Sequence, residues 1–315
     1  MALPDELSAV VRAYLADRPE APWPEFADDV GIAGLLVPEE HGGAGCGPAE
    51  MAAVAEELGR ALSPHPFLQS AVMAVEALKA DGQGLLPSLA DGSLTATVVL
   101  PDDGDLRLEG DRLTGVVPYA LEGELALLYV GGLLVAAVPE RRRTHRTMDG
   151  SRPLQELVFH DTPVRRLGDG GSWARVRDLG IAALAAEQAG GARRCLEMAV
   201  GHAKTRRQFG RPIGSFQAVK HKLADVFLLV ESARSAAGAA ARDEVPSAVA
   251  GSYCAEAYLA AAGENIQVHG GIGVTWEHPA HRHLKRAASD AQLFGPPQAH
   301  RARLAAHVFG PAPSR

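Results

Sequence analysis

Apolar residues recur at helical spacing at both ends of the chain and at strand spacing in the middle. In AEMAAVAEELGRAL (49–62), Met51, Val54, Leu58 and Leu62 fall three and four apart, which places them on one face of a helix. The Gly-rich link EEHGGAGCGPAE precedes it. Gly42, Gly43, Gly45 and Gly47 suit a tight turn into a helix that begins near Pro48. Residues 1–78 read as helical throughout. Between 92 and 168 the pattern changes to short β-branched runs: SLTATVVLP, DRLTGVVPYA, LALLYVGGLLVAAVP and PLQELVFHDTPVR. Turn clusters such as DDGD and EGD separate them, and the region is too short for a large barrel. Helical periodicity returns over 175–309. One long pattern ends at TRRQF. A second carries Phe216, Val219, Leu223, Val226, Phe227 and Val230 on its apolar positions. SAVAGSYCAEAYLAAAGENIQVHGG is a third helix stopped by a Gly pair, and PAHRHLKRAASDAQLFG a fourth. Short links between four such helices predict an antiparallel bundle. The expected fold is mainly α with a small β domain: an N-terminal helical domain over 1–90, a middle β domain over 91–170 and a C-terminal four-helix bundle over 171–315.

Composition narrows the class. The chain has 315 residues, 47% of them apolar and 22% charged, which is ordinary for a folded domain and excludes wholesale disorder. No run approaches the ~20 apolar residues of a membrane span, and MALPDELSAVVRAYLADRPE has acids where an export signal would have its apolar core. Cys46, Cys195 and Cys254 lie far apart, forming neither a metal pattern nor a disulfide framework, as expected in a reducing cytoplasm. A net charge of −7 argues against a nucleic-acid role. The early glycines lack the lysine and hydroxyl of a phosphate-binding P-loop.

Two segments carry candidate chemistry. In TRRQFGRPIGSFQAVKHKLAD (205–225), Arg206 and Arg207 offer guanidinium forks that match phosphate oxygens, and Phe209 offers a ring for stacking. A helix end with dipole-complementing cations accounts for the same residues. In ENIQVHGGIGVTWEHPAHRHLKRA (264–287), Gly270, Gly271 and Gly273 permit close backbone approach, with Gln267 one turn earlier. His269, His278, His281 and His283 raise a zinc site, but no HExxH spacing or Cys/Asp set supports one, and a plain helix joint remains the alternative.

Taken together, these segments resemble the acyl-CoA dehydrogenase family. RRQFGRPIGSFQAVKHKLAD and IQVHGGIGVTWEHPAHRHLKRA are similar to its two flavin-contacting helix joints, and GIAGLLVPEEHGGAGCGPAEMAAVAEELGRAL to its N-terminal helical domain. The resemblance implies the same domain order and an FAD bound between subunits. It implies contacts from Arg206, Gln208 and Phe209 at the pyrophosphate and adenine end, and from Gln267, Gly270 and Gly271 across a subunit contact. It also implies an acyl-CoA substrate, a base that removes the α-proton while the β-hydride goes to flavin, and an electron-transfer flavoprotein as acceptor.

The chain departs from the family at the base. Where a Tyr-Glu-Gly-Thr turn is usual, the sequence reads LFGPP, with Phe294 at the Tyr and Gly295 at the Glu. The family's second base position, 29 residues before Phe209, is Gly180. The usual Trp-x-Thr strand beside the flavin ring is matched by Tyr119-Ala120-Leu121, and the usual Gly-rich loop before it is reduced to VLPDDGDLR (99–107). This pattern resembles the short chain of bacterial α2β2 acyl-CoA dehydrogenases, which lacks the base that its partner carries. The alternatives are a self-sufficient homotetramer with a displaced base (Glu187, Asp290 or Glu277), a non-catalytic scaffold on the same fold, and a flavin oxygenase.

Overall fold

The computed structural model describes residues 3–310. The first helical stretch forms α1 (Leu3–Asp17), α2 (Trp23–Val30), α3 (Pro48–Ala61), a fully buried π-helical segment Phe67–Ala74 that continues into α4 (Val75–Ala80), and α5 (Leu86–Ala90). The β-branched runs become β1 (Ala96–Val99), β2 (Asp105–Glu109), β3 (Arg112–Leu121), β4 (Leu125–Val130), β5 (Leu133–Ala137), β6 (Arg141–Thr144), β7 (Leu154–Pro163) and β8 (Arg165–Gly168). Then come α6 (Trp173–Thr205), the two-residue strands β9 (Arg207–Gln208) and β10 (Arg211–Pro212), α7 (Gln217–Ala241), α8 (Ser247–His269), α9 (Ala280–Asp290) and α10 (Pro297–Phe309). By packing, the chain divides into two units. One joins the segment up to Val54 to Pro64–Gly180; the other joins Ala55–Ser63 to the segment from Ile181 onward.

The first unit contains two four-stranded sheets, ordered β1-β4-β5-β8 and β2-β3-β7-β6. They share one core. Val99, Ala126, Leu128, Val135 and Ala137 come from the first sheet, and Leu113, Val117, Ala120, Leu157 and Phe159 from the second. The run LALLYVGGLLVAAVP is two antiparallel strands rather than one. Gly131 and Gly132 both take positive φ (59° and 77°), so Val130 pairs with Leu133 across a two-residue turn. All three of β2, β6 and β8 line sheet edges; β6 and β8 are polar, whereas β2 alternates, with Leu106 and Leu108 against the core and Asp105, Arg107 and Glu109 exposed.

In the second unit, α6, α7, α8 and α9 contribute to one core. Ala192, Cys195, Val226, Val230, Tyr258, Ala261, Ala262 and Ala287 are its buried members. Small residues bring the backbones close. A Cβ on Gly59 would run into the Glu187 carbonyl, and one on Gly190 into the Glu56 carbonyl. Burial of Val226 and Val230 follows the expected periodicity, but Phe227 does not: it is half-exposed. The helix α10 adds to the expected four. Its buried residues are Pro297 and His300, too few to mark an apolar face in the sequence. No helix among the described residues is long and apolar enough to cross a membrane.

Candidate functional site

The segment around Arg206 begins where α6 ends. The Arg206 N–H still donates to the His202 carbonyl (2.8 Å), and the Ile213 N–H returns to the Arg206 carbonyl (2.8 Å). Between them, β9 and β10 form a minimal hairpin in which Gln208 pairs with Arg211. Its two turn residues are Phe209 (φ 51°) and Gly210 (φ 76°). Left-handed backbone suits the glycine, whereas at a phenylalanine it costs roughly 1–2 kcal/mol. The strained residue is also the most exposed large apolar side chain here, 91% accessible, with only an edge contact to Phe216 at 6.1 Å between centroids. Arg206, Arg207 and Gln208 are exposed around it, and the Arg211 guanidinium lies over the Phe216 ring at 4.0 Å. A bulky ring held out in strained backbone, ringed by cations at a helix C-terminus, is an arrangement that folding alone does not favour.

The second segment closes α8. Gly270 breaks the helix with φ 66° and ψ −145°, a conformation that only glycine adopts readily. A Cβ on Gly270 or on Gly271 would point into open space, and both residues are exposed. Gln267 is exposed one turn before. Beyond the turn, Ile272, Val274 and Trp276 (77% accessible) extend the exposed apolar surface, with Lys285 over the Trp276 ring at 4.0 Å. The two segments meet through histidines: the rings of His202 and His269 are 4.3 Å apart, and those of His269 and His278 are 4.2 Å apart. Burial lowers the pKa of His202 and of His278, and the neighbouring His269 lowers both further. His283 belongs elsewhere. It sits in the core, hydrogen-bonded to the Tyr258 hydroxyl at 2.9 Å, where burial and then Arg194, Arg286 and Arg60 push its pKa down to about 3.

The expected base positions lie in a different environment. Gly180 is buried within α6. Gly295 follows Phe294 (φ 57°) and itself takes φ 97°. The turn is therefore built on left-handed backbone that a carboxylate residue adopts poorly, and a Cβ there would press on Ala299 at 3.2 Å. Beside it, Ile181, Gln188, Asp290, Phe294 and His300 line a cavity of about 10 Å³, room for about one water molecule. The displaced carboxylates are no better placed. Glu187 is buried 3.7 Å from the Arg286 guanidinium (1% accessible), which also donates to the Ser63 carbonyl at 3.0 Å. Asp290 is buried against that small cavity, and Glu277 is exposed on the surface. Burial pushes both core thiols up, Cys254 to about 12, so neither Cys195 nor Cys254 is a nucleophile.

Residues 4–92 match the acyl-CoA dehydrogenase N-terminal domain, and residues 178–309 the acyl-CoA dehydrogenase C-terminal domain. Acyl-CoA dehydrogenase IpdE2 of Mycobacterium tuberculosis is 40% identical over 309 residues, covering 96% of this chain and 92% of that protein. The chain belongs to the acyl-CoA dehydrogenase family. Members of this family are FAD-dependent oxidoreductases, and the helical, β, helical order agrees with the family layout. Among solved structures, the ChsE4-ChsE5 complex of Mycobacterium tuberculosis matches with a TM-score of 0.87 at 26% identity, covering 99% of both chains. The Tcur3481-Tcur3483 steroid acyl-CoA dehydrogenase G363A variant matches with a TM-score of 0.86 at 27% identity, covering 96% of both.

In this acyl-CoA dehydrogenase, Tyr119 projects from β3 at an irregularity of the β3–β7 register between Val117 and Ala120. Such bulges re-aim side chains. The ring is 67% accessible and leans on His145 at 4.9 Å, while the His145 Nε2–H donates to the Pro118 carbonyl at 2.7 Å. Reading the sequence did not single out His202 or the left-handed backbone at Phe209 and Gly295. His202 is detectable as the residue four before Arg206, on the same helix face. Backbone handedness at a non-glycine leaves no signal in composition.

Proposed function

We propose that this chain is the base-less subunit of an FAD-dependent acyl-CoA dehydrogenase, active with a second, base-carrying chain of the same family. Arg206, Gln208 and Phe209, with Gln267, Gly270 and Gly271, complete the FAD site that the two chains share. Their arrangement in the structure fits the group: exposed guanidinium forks for phosphates, a ring held outward for stacking, and two glycine peptides open to close approach. When bound, FAD supplies the hydride acceptor for α,β-dehydrogenation of an acyl-CoA thioester.

One contrast carries the reading. Within a single unit the dinucleotide-side residues stand open, while the turn at Gly295 carries no carboxylate and is built on left-handed backbone. The likeness to chains of the ChsE4-ChsE5 complex and of a steroid acyl-CoA dehydrogenase supports a hetero-oligomer and a fatty or steroid acyl-CoA as substrate. An electron-transfer flavoprotein as acceptor and a cytoplasmic location complete the proposal. The self-sufficient homotetramer is disfavoured because Glu187 is already held by Arg286.

Turnover by the purified chain tests this directly. Supplied with FAD, acyl-CoA thioesters of both classes and an artificial electron acceptor, the chain alone is expected to be inactive. Steady dehydrogenation under those conditions would contradict the proposal.

A further inference from the structure

Three imidazoles join the parts of the proposed site, and nothing in the dehydrogenation chemistry requires them. His202 sits in the last turn of α6, and its carbonyl anchors the Arg206 N–H. His269 is the last residue of α8, immediately before Gly270 and Gly271. His278 lies between Trp276 and the start of α9. The rings stack in sequence with tilts of 36° and 42°. Hydrogen bonds orient His269 and His278. The His269 Nδ1–H donates to the Asn265 carbonyl at 2.7 Å, and the His278 Nδ1 accepts from the Ala280 N–H at 3.2 Å. The stack thereby sets the spacing between the arginine-bearing helix end and the glycine turn.

Its charge environment is positive. His202 faces His269 from α8, His278 from the following loop, and Arg206 from the turn just past the end of α6. Behind His278 stands His281, and beside His281 are Arg282 and Lys285 of α9. His269, Arg206 and His278 disfavour a proton on His202, and His269 and His281 disfavour one on His278. A phosphate that engages Arg206 offsets one of those charges and adds a negative one nearby. We propose that the stack of His202, His269 and His278 is the positioning element of the dinucleotide-phosphate site, and that one of its outer rings, His202 or His278, takes up a proton when phosphate engages Arg206. The inference rests on the reading that Arg206 meets a phosphate. By thermodynamic reciprocity, phosphate then binds more tightly as pH falls through the lowered midpoints of His202 and His278.

The test is a histidine NMR titration of the full chain between pH 5 and 8, with and without inorganic pyrophosphate. We expect pyrophosphate to perturb the Arg206–Phe209 amides and to shift the His202 and His278 midpoints upward. Arg206→Gln is expected to raise the His202 midpoint without ligand and to abolish its response to pyrophosphate. His278→Gln, at a partly exposed site, is expected to weaken pyrophosphate binding chiefly at low pH and to flatten its pH dependence. If pyrophosphate perturbs the Arg206 segment while the imidazole midpoints stay fixed, the stack is only structural and the inference is wrong, but the site reading survives. If pyrophosphate leaves that segment unperturbed, the phosphate reading fails and the inference with it.

Discussion

At Phe209 the residue's own energetics and the proposed function oppose each other. Left-handed backbone and exposure both disfavour a phenylalanine there, so Phe209→Gly is expected to raise stability by about 1 kcal/mol through relief of strain. The same substitution is expected to lower the flavin content of the complex with the partner chain. Thermal unfolding and the flavin-to-protein absorbance ratio read the two effects separately. A scaffold that never touched the cofactor would show the first effect without the second. Much of this site was legible: guanidinium, ring and glycine pair are present in the order that the chemistry needs. Their conformation was not, because the strain at Phe209 comes from closing a two-residue hairpin between α6 and α7. Nor was the buried pairing of Glu187 with Arg286, which takes Glu187 from a candidate base to half of an ion pair held in the core.

At the scale of elements, close approach and turn handedness decide what can be changed. The segment Ala55–Ala61 of α3 lies against α6 through Gly59 and Gly190. Alanine at Gly190 is expected to destabilise the protein by roughly 2–3 kcal/mol, since a backbone carbonyl cannot move aside as a side chain can. A denaturation midpoint unchanged in Gly190→Ala would refute that contact. The Gly295 turn makes a second prediction. Gly295→Glu is expected to destabilise the chain without creating dehydrogenase activity, because the residue takes φ 97° and a side chain there would press on Ala299. The core also carries a pH dependence. With the folded pKa of His283 near 3 and the unfolded value near 6.5, the unfolded chain binds the extra proton in between. Stability from this group is therefore full above about pH 6.5 and declines as pH falls toward 3. The stability advantage of wild type over His283→Gln is expected to shrink between pH 7 and pH 4 in urea unfolding, and a constant difference would contradict the assignment. The helix α7 was readable because it buries an apolar stripe, whereas α9 buries His281, His283, Arg286 and Asp290 beside its alanines. The strands β6 and β8 and the helix α10 were not readable, since polar sheet edges and a mostly solvated helix leave little hydrophobic period, while β2 alternates over only five residues beside the turn cluster DDGD.

For the whole molecule, the account makes this chain half of an enzyme: a family member whose dinucleotide-side surface stands ready while the base positions hold glycine. That order of elements was visible from the alternation of helical and strand periods alone, and the missing base from two positions in one motif frame. The exposed apolar side chains of Phe209, Ile272, Val274 and Trp276 fit a chain that is completed by another. The most direct measurement is the visible absorption spectrum of the chain purified alone. The account predicts a colourless protein, with flavin bands emerging only in complex with a base-carrying acyl-CoA dehydrogenase chain. Near-stoichiometric flavin on the lone chain would mean that copies of this chain complete the site for one another, and would contradict the division of labour proposed here.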